Sequence, residues 1–181
     1  MDEAEDRRLV ERSCAGDLRA FDEIVLRYQR PLFNVALRML NNYEDAVDVT
    51  QTSFLKAFEQ LGSYDPDRKF FSWLYRIQMN EALNWIKRRK PNEDIPEDLR
   101  SFTPNPEEEY LSSEIAASVQ RAIAELPLGL RQVIVLRHIA GLSYQDIAEV
   151  LATPAKTVKS RLFEARQKLR DILARHGAVS A

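Results

Sequence analysis

Apolar residues recur every three or four positions along most of the chain, which is the spacing of one face of an α-helix. In the first half this pattern covers 18–28, 32–40 after Pro31, 47–61 and 70–86. In the second half it covers 115–126, 130–139 after Pro127, and two segments that follow Ser143. No segment shows the alternation of a strand, and only five glycines occur. The pattern predicts an all-α protein.

The helical pattern stops in the middle of the chain. Between positions 91 and 114, eight acidic residues accompany a single basic residue, Arg100, and four prolines interrupt the stretch. Such a composition offers few apolar residues to anchor a core. We therefore predict two small helical domains, at 1–90 and 114–181, joined by an acidic, proline-containing flexible linker at 91–113.

The two segments after Ser143 have the spacing of a helix-turn-helix. Ser143 is expected to cap the first helix, and Thr153 and Pro154 to cap and begin the second. Ala148 is small where the two helices must approach closely, and Val158 fills the gap between them. The pattern indicates a DNA-binding element close to the C-terminus.

The second helix of this element carries its apolar residues on one arc. They are Val158, Leu162, Ala165, Leu169 and Ile172. The opposite arc carries phosphate-binding cations, base-edge hydrogen-bonding groups and one aromatic ring. Its members are Lys156, Lys159, Ser160, Phe163, Arg166, Gln167 and Arg170. The alternative is a merely solvated face, but an exposed phenylalanine among cations favours DNA contact.

The net charge of −2 does not contradict DNA binding, because the charge is unevenly spread. Positions 155–175 carry seven basic and two acidic residues, so the acidic linker conceals a basic C-terminal segment.

Segment 44–61 is predicted to bury Val47, Thr50, Phe54, Ala57, Phe58 and Leu61. Its opposite face would then expose mainly acidic side chains with two aliphatic ones, Val49 and Leu55. This mixture suits docking on a basic protein surface, although a solvated face is the alternative.

Segment 70–90 carries a stripe that mixes an aromatic ring, cations and amides at spacings of three and four. The stripe is Trp73, Arg76, Asn80, Asn84 and Lys87, with Phe71, Leu74, Ala82 and Trp85 on the other side. A basic cluster at 87–90 ends the segment, and aromatic and basic residues alternate in the preceding loop at 62–70. The stripe favours binding of unpaired bases, although either tryptophan alone could be a core residue.

Three motifs resemble the bacterial sigma factors of the extracytoplasmic-function (ECF) group. They are the run 43–54 (YEDAVDVTQTSF), the run 71–77 (FSWLYRI) with Asn80, and the run 142–148 (LSYQDIA) followed by 157–161 (TVKSR). The motifs occur in the family's order over nearly the whole chain. Two departures from the family pattern occur: Lys156 stands where glycine is usual, and Asn84 with Trp85 replaces a small or aliphatic residue and an aspartate.

The resemblance implies an alternative sigma factor that binds core RNA polymerase and directs promoter-specific initiation. Binding to the β′ clamp is implied for Asp45, Asp48, Gln51, Thr52 and Leu55. Melting of the minus-ten element is implied for Tyr64, Arg68, Lys69, Phe70, Trp73, Arg76, Asn80, Asn84, Lys87 and Arg88. Recognition of the minus-thirty-five element is implied for Lys156, Thr157, Lys159, Ser160, Arg161, Phe163, Arg166, Gln167 and Arg170. Further implied partners are the β flap and an anti-sigma factor.

Other function classes find little support. His138 and His176 have no carboxylate or cysteine at metal-ligand or triad spacing, and Cys14 stands alone. No glycine-rich phosphate loop occurs. We therefore expect that the protein is not an enzyme and that it binds no metal, cofactor or small-molecule substrate. The acidic N-terminus is unlike a signal peptide and no apolar run would span a bilayer, so we expect a cytoplasmic protein. The alternative is a signal-responsive helix-turn-helix regulator that binds operator DNA.

Overall fold

The computed structural model describes residues 3–88 and 117–176, and all regular structure within these ranges is helical. The helices are α1 (Glu3–Cys14), α2 (Leu18–Leu40), α3 (Tyr43–Glu59), α4 (Phe70–Arg88), α5 (117–125), α6 (Leu128–His138), α7 (Tyr144–Val150) and α8 (Ala155–Arg175), with a 3-10 turn at Leu61–Ser63. The predicted all-α fold is confirmed. The predicted linker lies outside the described residues, and the predicted domain limits stay predictions.

Helices α1 to α4 pack into one bundle with α2 at its centre. Helix α2 continues through Pro31, where the sequence pattern predicted a break. Proline removes one backbone N–H, but Tyr28, Leu32 and Val35 are all buried on the same face and hold both halves of the helix against the core. The helix ends at Asn41, which adopts a left-handed conformation with φ of 55°.

Helix α3 is rotated relative to the predicted arrangement. Val49 is buried, Val47 is half-buried and Phe58 is 45% exposed, so the predicted positions of Val49 and Phe58 are wrong. The buried arc includes two hydroxyl residues, Thr50 and Ser53. Each donates to the carbonyl four residues earlier, at 2.6 and 2.7 Å, which satisfies the hydroxyl inside the core. This local bonding permits Ser53, which the apolar pattern left out of the buried arc, to lie in the core.

Helices α6, α7 and α8 form the helix-turn-helix unit. Ser143 and Asp146 form a reciprocal capping box at the start of α7, which confirms Ser143 as the cap. The turn contains Ala152 with φ of 47°, and α8 begins at Ala155 with Pro154 in the cap position. The prediction that Thr153 caps α8 is wrong by one residue, because the Thr153 hydroxyl donates to the Leu151 carbonyl instead.

The helix-turn-helix unit packs against the bundle at two places. Helix α7 lies on α4, and α6 lies on the C-terminal end of α2. These contacts place two of the sequence-predicted surfaces next to each other.

Candidate nucleic-acid and polymerase interfaces

Helix α8 presents the first candidate surface. Val158, Leu162 and Ala165 are fully buried against α6 and α7, as predicted. Phe163 lies on the opposite side and is 66% exposed. This exposure leaves the ring accessible to a partner on the side of α8 that faces away from the core.

The residues around Phe163 form a basic, mostly exposed face. Lys156, Lys159, Ser160, Arg166 and Arg170 are exposed, whereas Thr157, Arg161 and Gln167 are half-buried. An α-helix fits the major groove of duplex DNA, so this face could enter it as a unit. The structure therefore brings all nine predicted residues to one helix.

Beside this face, aromatic and cationic side chains contact one another in series. The Arg137 guanidinium lies 5.2 Å from the centre of the Tyr144 ring, and Arg166 Nη2 lies 3.5 Å from the Tyr144 hydroxyl. Partial burial and the two nearby arginines, Arg166 and Arg137, lower the pKa of His138. His138 is therefore neutral at pH 7, and the positive charge of the face comes from arginine and lysine.

Helix α4 and the loop before it present the second candidate surface. Of the predicted stripe, Asn80, Asn84 and Lys87 are exposed, whereas Trp73 and Arg76 are half-buried. Arg68 and Arg88, which flank the stripe, are exposed. Phe71, Leu74 and Ala82 are buried on the other side, and Trp85 is half-buried. The predicted two-sided character of this helix is confirmed.

An aromatic cluster stands at the N-terminal end of α4. The ring centres of Tyr64, Phe70 and Trp73 lie 5.4 to 5.6 Å apart. Phe70 is only 3% exposed and packs against Tyr28, so in this structure it supports the other two rings instead of facing solvent. Tyr64 and Trp73 are half-buried, and burial raises the pKa of Tyr64.

Two cations of this surface are engaged by α7. Lys69 Nζ lies 2.9 Å from Asp146 Oδ1 and 3.5 Å from Glu3 Oε1. The Asp146 carboxylate raises the pKa of Lys69. Burial would raise the pKa of Asp146, but hydrogen bonds from Ser143 and Lys69 outweigh it and hold this pKa below its ordinary value. Arg76 donates to the backbone carbonyl of Glu149.

Helix α3 presents the third candidate surface. Asp48, Gln51 and Leu55 are exposed on one stripe, with Leu55 65% exposed, and Asp45 and Thr52 are half-buried at its edge. Phe58, which the sequence pattern had assigned to the core, is exposed and extends this stripe. The surface combines carboxylates with exposed apolar groups, as predicted for a protein-docking face.

The chain matches two families of known proteins, one in each half. The family described as Sigma-70 region 2 matches residues 24–91, and the family described as Sigma-70, region 4 matches residues 116–169. The RNA polymerase sigma-H factor of Pseudomonas aeruginosa is 41% identical over 177 residues, which cover 91% of this chain and 92% of that protein. The ECF RNA polymerase sigma-E factor of Haemophilus influenzae is 40% identical over 178 residues, covering 92% and 94%. The chain belongs to the ECF group of the sigma-70 family.

A solved structure of CnrH in complex with the cytosolic domain of CnrY matches the fold of this sigma factor. It is 29% identical, with a TM-score of 0.76, and covers 94% of this chain and 98% of that one. Sigma factors bind core RNA polymerase and promoter DNA and are not enzymes, so this chain is an alternative sigma factor that directs promoter-specific initiation. Within 3–88 and 117–176, no helix is both long and apolar enough to cross a bilayer.

Sequence reasoning missed how α7 holds the sigma factor's α4. The pattern Ser143 to Asp146 is a readable capping signature, but nothing near Lys69 in the sequence indicates that Asp146 is its partner. The pairing spans 77 positions of the chain and follows only from the packing of the two domains.

Proposed function

We propose that the three surfaces divide the work of initiation, with α8 binding the minus-thirty-five element. The observation that carries this assignment is Phe163, exposed among cations on the side of α8 opposite its buried residues. Lysine and arginine side chains would bind phosphates and fix the helix in the major groove. Arg166, Gln167 and Phe163 would contact base edges and a thymine methyl group.

Helix α4 and its preceding loop would bind the melted minus-ten element. Each base that stacks on an aromatic ring gains about 1–3 kcal/mol, which is comparable with the cost of unstacking it from the duplex. Tyr64 and Trp73 supply such rings, and Phe70 fixes their positions from the core. Asn80 and Asn84 would hydrogen-bond to bases, while the cations bind phosphates. These cations are Arg68, Lys69, Arg76, Lys87 and Arg88.

Helix α3 would dock on the β′ clamp of core polymerase through Asp45, Asp48, Gln51, Thr52 and Leu55. A central exposed leucine surrounded by carboxylates and amides has the composition of an apolar anchor with a polar rim. We extend this surface to Phe58, which continues the same stripe. The helix-turn-helix domain would contact the β flap.

An anti-sigma factor is a further proposed partner, and the cytoplasm, where core polymerase works, is the proposed location. The relative CnrH was solved with the cytosolic domain of CnrY bound to it, over a chain that aligns with nearly all of this one. A protein that co-purifies with this chain and inhibits the transcription that the chain directs would support the proposal. A chain that stays active and unbound in its own cells under every condition would contradict it.

The test is run-off transcription by core polymerase on a library of promoter fragments, with and without this chain. Lys159→Ala with Arg166→Ala should abolish initiation and reduce the salt dependence of duplex binding, by about 0.9 in the log–log slope for each lost phosphate contact. Lys168→Ala is the matched control, because Lys168 is exposed on the same helix and pairs with Glu164 at 3.7 Å outside the proposed contact set. An equal loss of initiation in the double variant and in Lys168→Ala would refute the assignment of α8 to the minus-thirty-five element.

A further inference from the structure

An acidic side chain lies within the face of α8 that was assigned to DNA. At about 100° per residue, Glu164 falls on the arc between Ser160 and Thr157, two of the residues assigned to the minus-thirty-five element. It is the tenth residue of a 21-residue helix, so it belongs to the N-terminal half. A recognition helix places this half against the base edges of the major groove. Glu164 therefore stands where a side chain can reach a base.

The Glu164 carboxylate is available to a partner. Its side chain is 56% exposed, and it accepts no hydrogen bond from any residue within 3–88 and 117–176. Lys168 Nζ lies 3.7 Å away, one turn later on the same helix, which is longer than a hydrogen bond. Exposed ion pairs at this spacing contribute little to the stability of a helix. Helix stability alone therefore gives Glu164 only a small role.

A carboxylate on this face opposes the attraction of α8 to DNA. Positions 155–175 carry seven basic and two acidic residues, and each anion repels the phosphates that the cations bind. Charge alone would favour a neutral or basic side chain at position 164. A favourable contact between Glu164 and DNA requires that a base donate a hydrogen bond to the carboxylate.

The four bases differ in what their major-groove edges offer to a carboxylate. Guanine presents two acceptors, N7 and O6, and thymine presents one acceptor and a methyl group, so neither base can donate to Glu164. Adenine donates from its N6 amino group, but its neighbouring N7 acceptor repels the second carboxylate oxygen. Cytosine donates from its N4 amino group and presents no acceptor in the groove. A carboxylate at this position therefore selects cytosine.

We propose that Glu164 determines specificity by accepting a hydrogen bond from the N4 amino group of a cytosine at one position of the minus-thirty-five element. The proposal rests on the assignment of α8 to this element, and it adds the identity of one base pair. The cations of α8 hold the helix in the groove whatever the sequence, because they bind phosphates. Glu164 acts in the opposite way, since it weakens binding to every sequence that lacks the cytosine.

Initiation by core polymerase with the full-length chain tests this proposal. The run-off templates carry a randomised upstream duplex element, and a transcribed barcode identifies the upstream sequence of each template. Sequencing of the transcripts then gives the base preference at each position. For the wild type, we expect one position at which cytosine is preferred about five- to tenfold, the lower part of the range for one base contact.

Glu164→Gln should change the identity of the selected base. Glutamine pairs with adenine through N6 and N7, so the preference at that position should change from cytosine to adenine. Glu164→Ala should remove the preference at the same position, and all other positions should keep theirs in both variants. An unchanged cytosine preference in Glu164→Gln would overturn the proposal.

Asp171→Asn is the charge-matched control. Asp171 is exposed on nearly the same line of α8, seven residues later, which places it about 10 Å further from the N-terminal end. Both variants lose one negative charge and should bind non-specific duplex more tightly to the same extent. Only Glu164→Gln should alter the base preference. An equal change of base preference in both variants would show that charge alone is responsible, and it would overturn the proposal.

Lys168→Ala tests the helix-stabilising alternative. This variant removes the ion pair and keeps the carboxylate, so the cytosine preference should remain. A loss of the preference in Lys168→Ala equal to that in Glu164→Ala would assign the effect to the pair and overturn a base contact by Glu164.

The double variant Lys159→Ala with Arg166→Ala separates this proposal from the proposed function. If the double variant loses initiation while Glu164→Gln keeps the wild-type base preference, α8 binds the element but Glu164 does not select a base. If the double variant initiates as well as the wild type, the assignment of α8 is wrong, and the role of Glu164 is wrong with it.

Discussion

The Tyr28 hydroxyl donates a hydrogen bond to the Asp6 carboxylate across 2.5 Å, and both residues are buried. Arg27 Nη1 approaches the other oxygen of Asp6 at 2.6 Å. The buried residues of α1 are Asp6, Leu9 and Val10, so one polar and two apolar anchors hold this helix on α2. The sequence pattern had not singled out α1, because a buried aspartate interrupts its apolar face.

Tyr28→Phe removes one of these bonds and leaves a buried carboxylate with fewer partners. We expect the free energy of unfolding to fall by about 1–3 kcal/mol, because an unsatisfied buried acceptor keeps its desolvation cost. Urea denaturation followed by circular dichroism measures this loss. Arg8→Gln breaks an exposed ion pair of α1 with Glu5 and should change stability by less than about 0.5 kcal/mol. Similar losses in the two variants would show that the Asp6 network is not the anchor.

Phe163→Ala should weaken promoter binding without affecting the fold. The ring lies outside the core, so the melting temperature should stay unchanged, while duplex binding should lose about 1–3 kcal/mol, as for one mismatched base pair. Fluorescence anisotropy on a promoter fragment obtained from the run-off library measures the affinity. Leu18→Ala truncates a similarly exposed apolar side chain on α2 and should bind normally. Unchanged affinity of Phe163→Ala would argue for a solvated face.

Leu55→Asp should weaken the complex with core polymerase by about 2 kcal/mol, because a charge would replace the apolar anchor of the α3 surface. Leu26→Asp provides the comparison, since Leu26 is 69% exposed on α2 and Leu55 is 65% exposed on α3. Competition binding to core polymerase should distinguish them, with only Leu55→Asp losing affinity. An equal loss for Leu26→Asp would place the docking surface elsewhere.

Acid should remove the contribution of Asp146 to stability. Its native pKa lies below the ordinary value of 3.8, so the stabilisation is complete well above that value and is lost as the pH falls from 3.8 through the native pKa. Denaturation midpoints of the wild type and Asp146→Asn should therefore differ at pH 7 and converge in acid. A difference that stays constant with pH would mean that the Asp146 charge does not contribute.

Much of α8 was predictable because its function requires a regular pattern. One arc must be apolar to pack on α6 and α7, and the opposite arc must be basic, so the period of the helix separates Leu162 from Phe163 without any knowledge of the fold. The same reasoning placed Asn80 and Asn84 on the exposed side of α4. When a helix has one buried face and one binding face, the period of its apolar and polar residues predicts both faces.

Helix α3 was harder to predict because it packs against both α2 and α4. Its buried arc is wide enough to include Thr50 and Ser53, whose hydroxyls bond to the helix's own carbonyls. A prediction from apolarity alone therefore assigned Val49 to the exposed face and Phe58 to the core, and the structure shows the reverse. Pro31 misled the prediction in another way, since burial on both sides of it outweighs one lost hydrogen bond. Contacts between domains, such as Lys69 with Asp146, leave no local pattern at all.

The last turn of α2 is contacted by residues that are made much later. The Leu37 and Met39 carbonyls accept bonds from Gln120 and Arg131, which lie 83 and 92 positions further along the chain. During synthesis the N-terminal bundle emerges from the ribosome first, and α2 is then already closed by the bond from the Asn41 N–H to the Leu37 carbonyl. The longest helix of the bundle therefore offers a finished end to the DNA-binding half, and the order of translation is also an order of assembly.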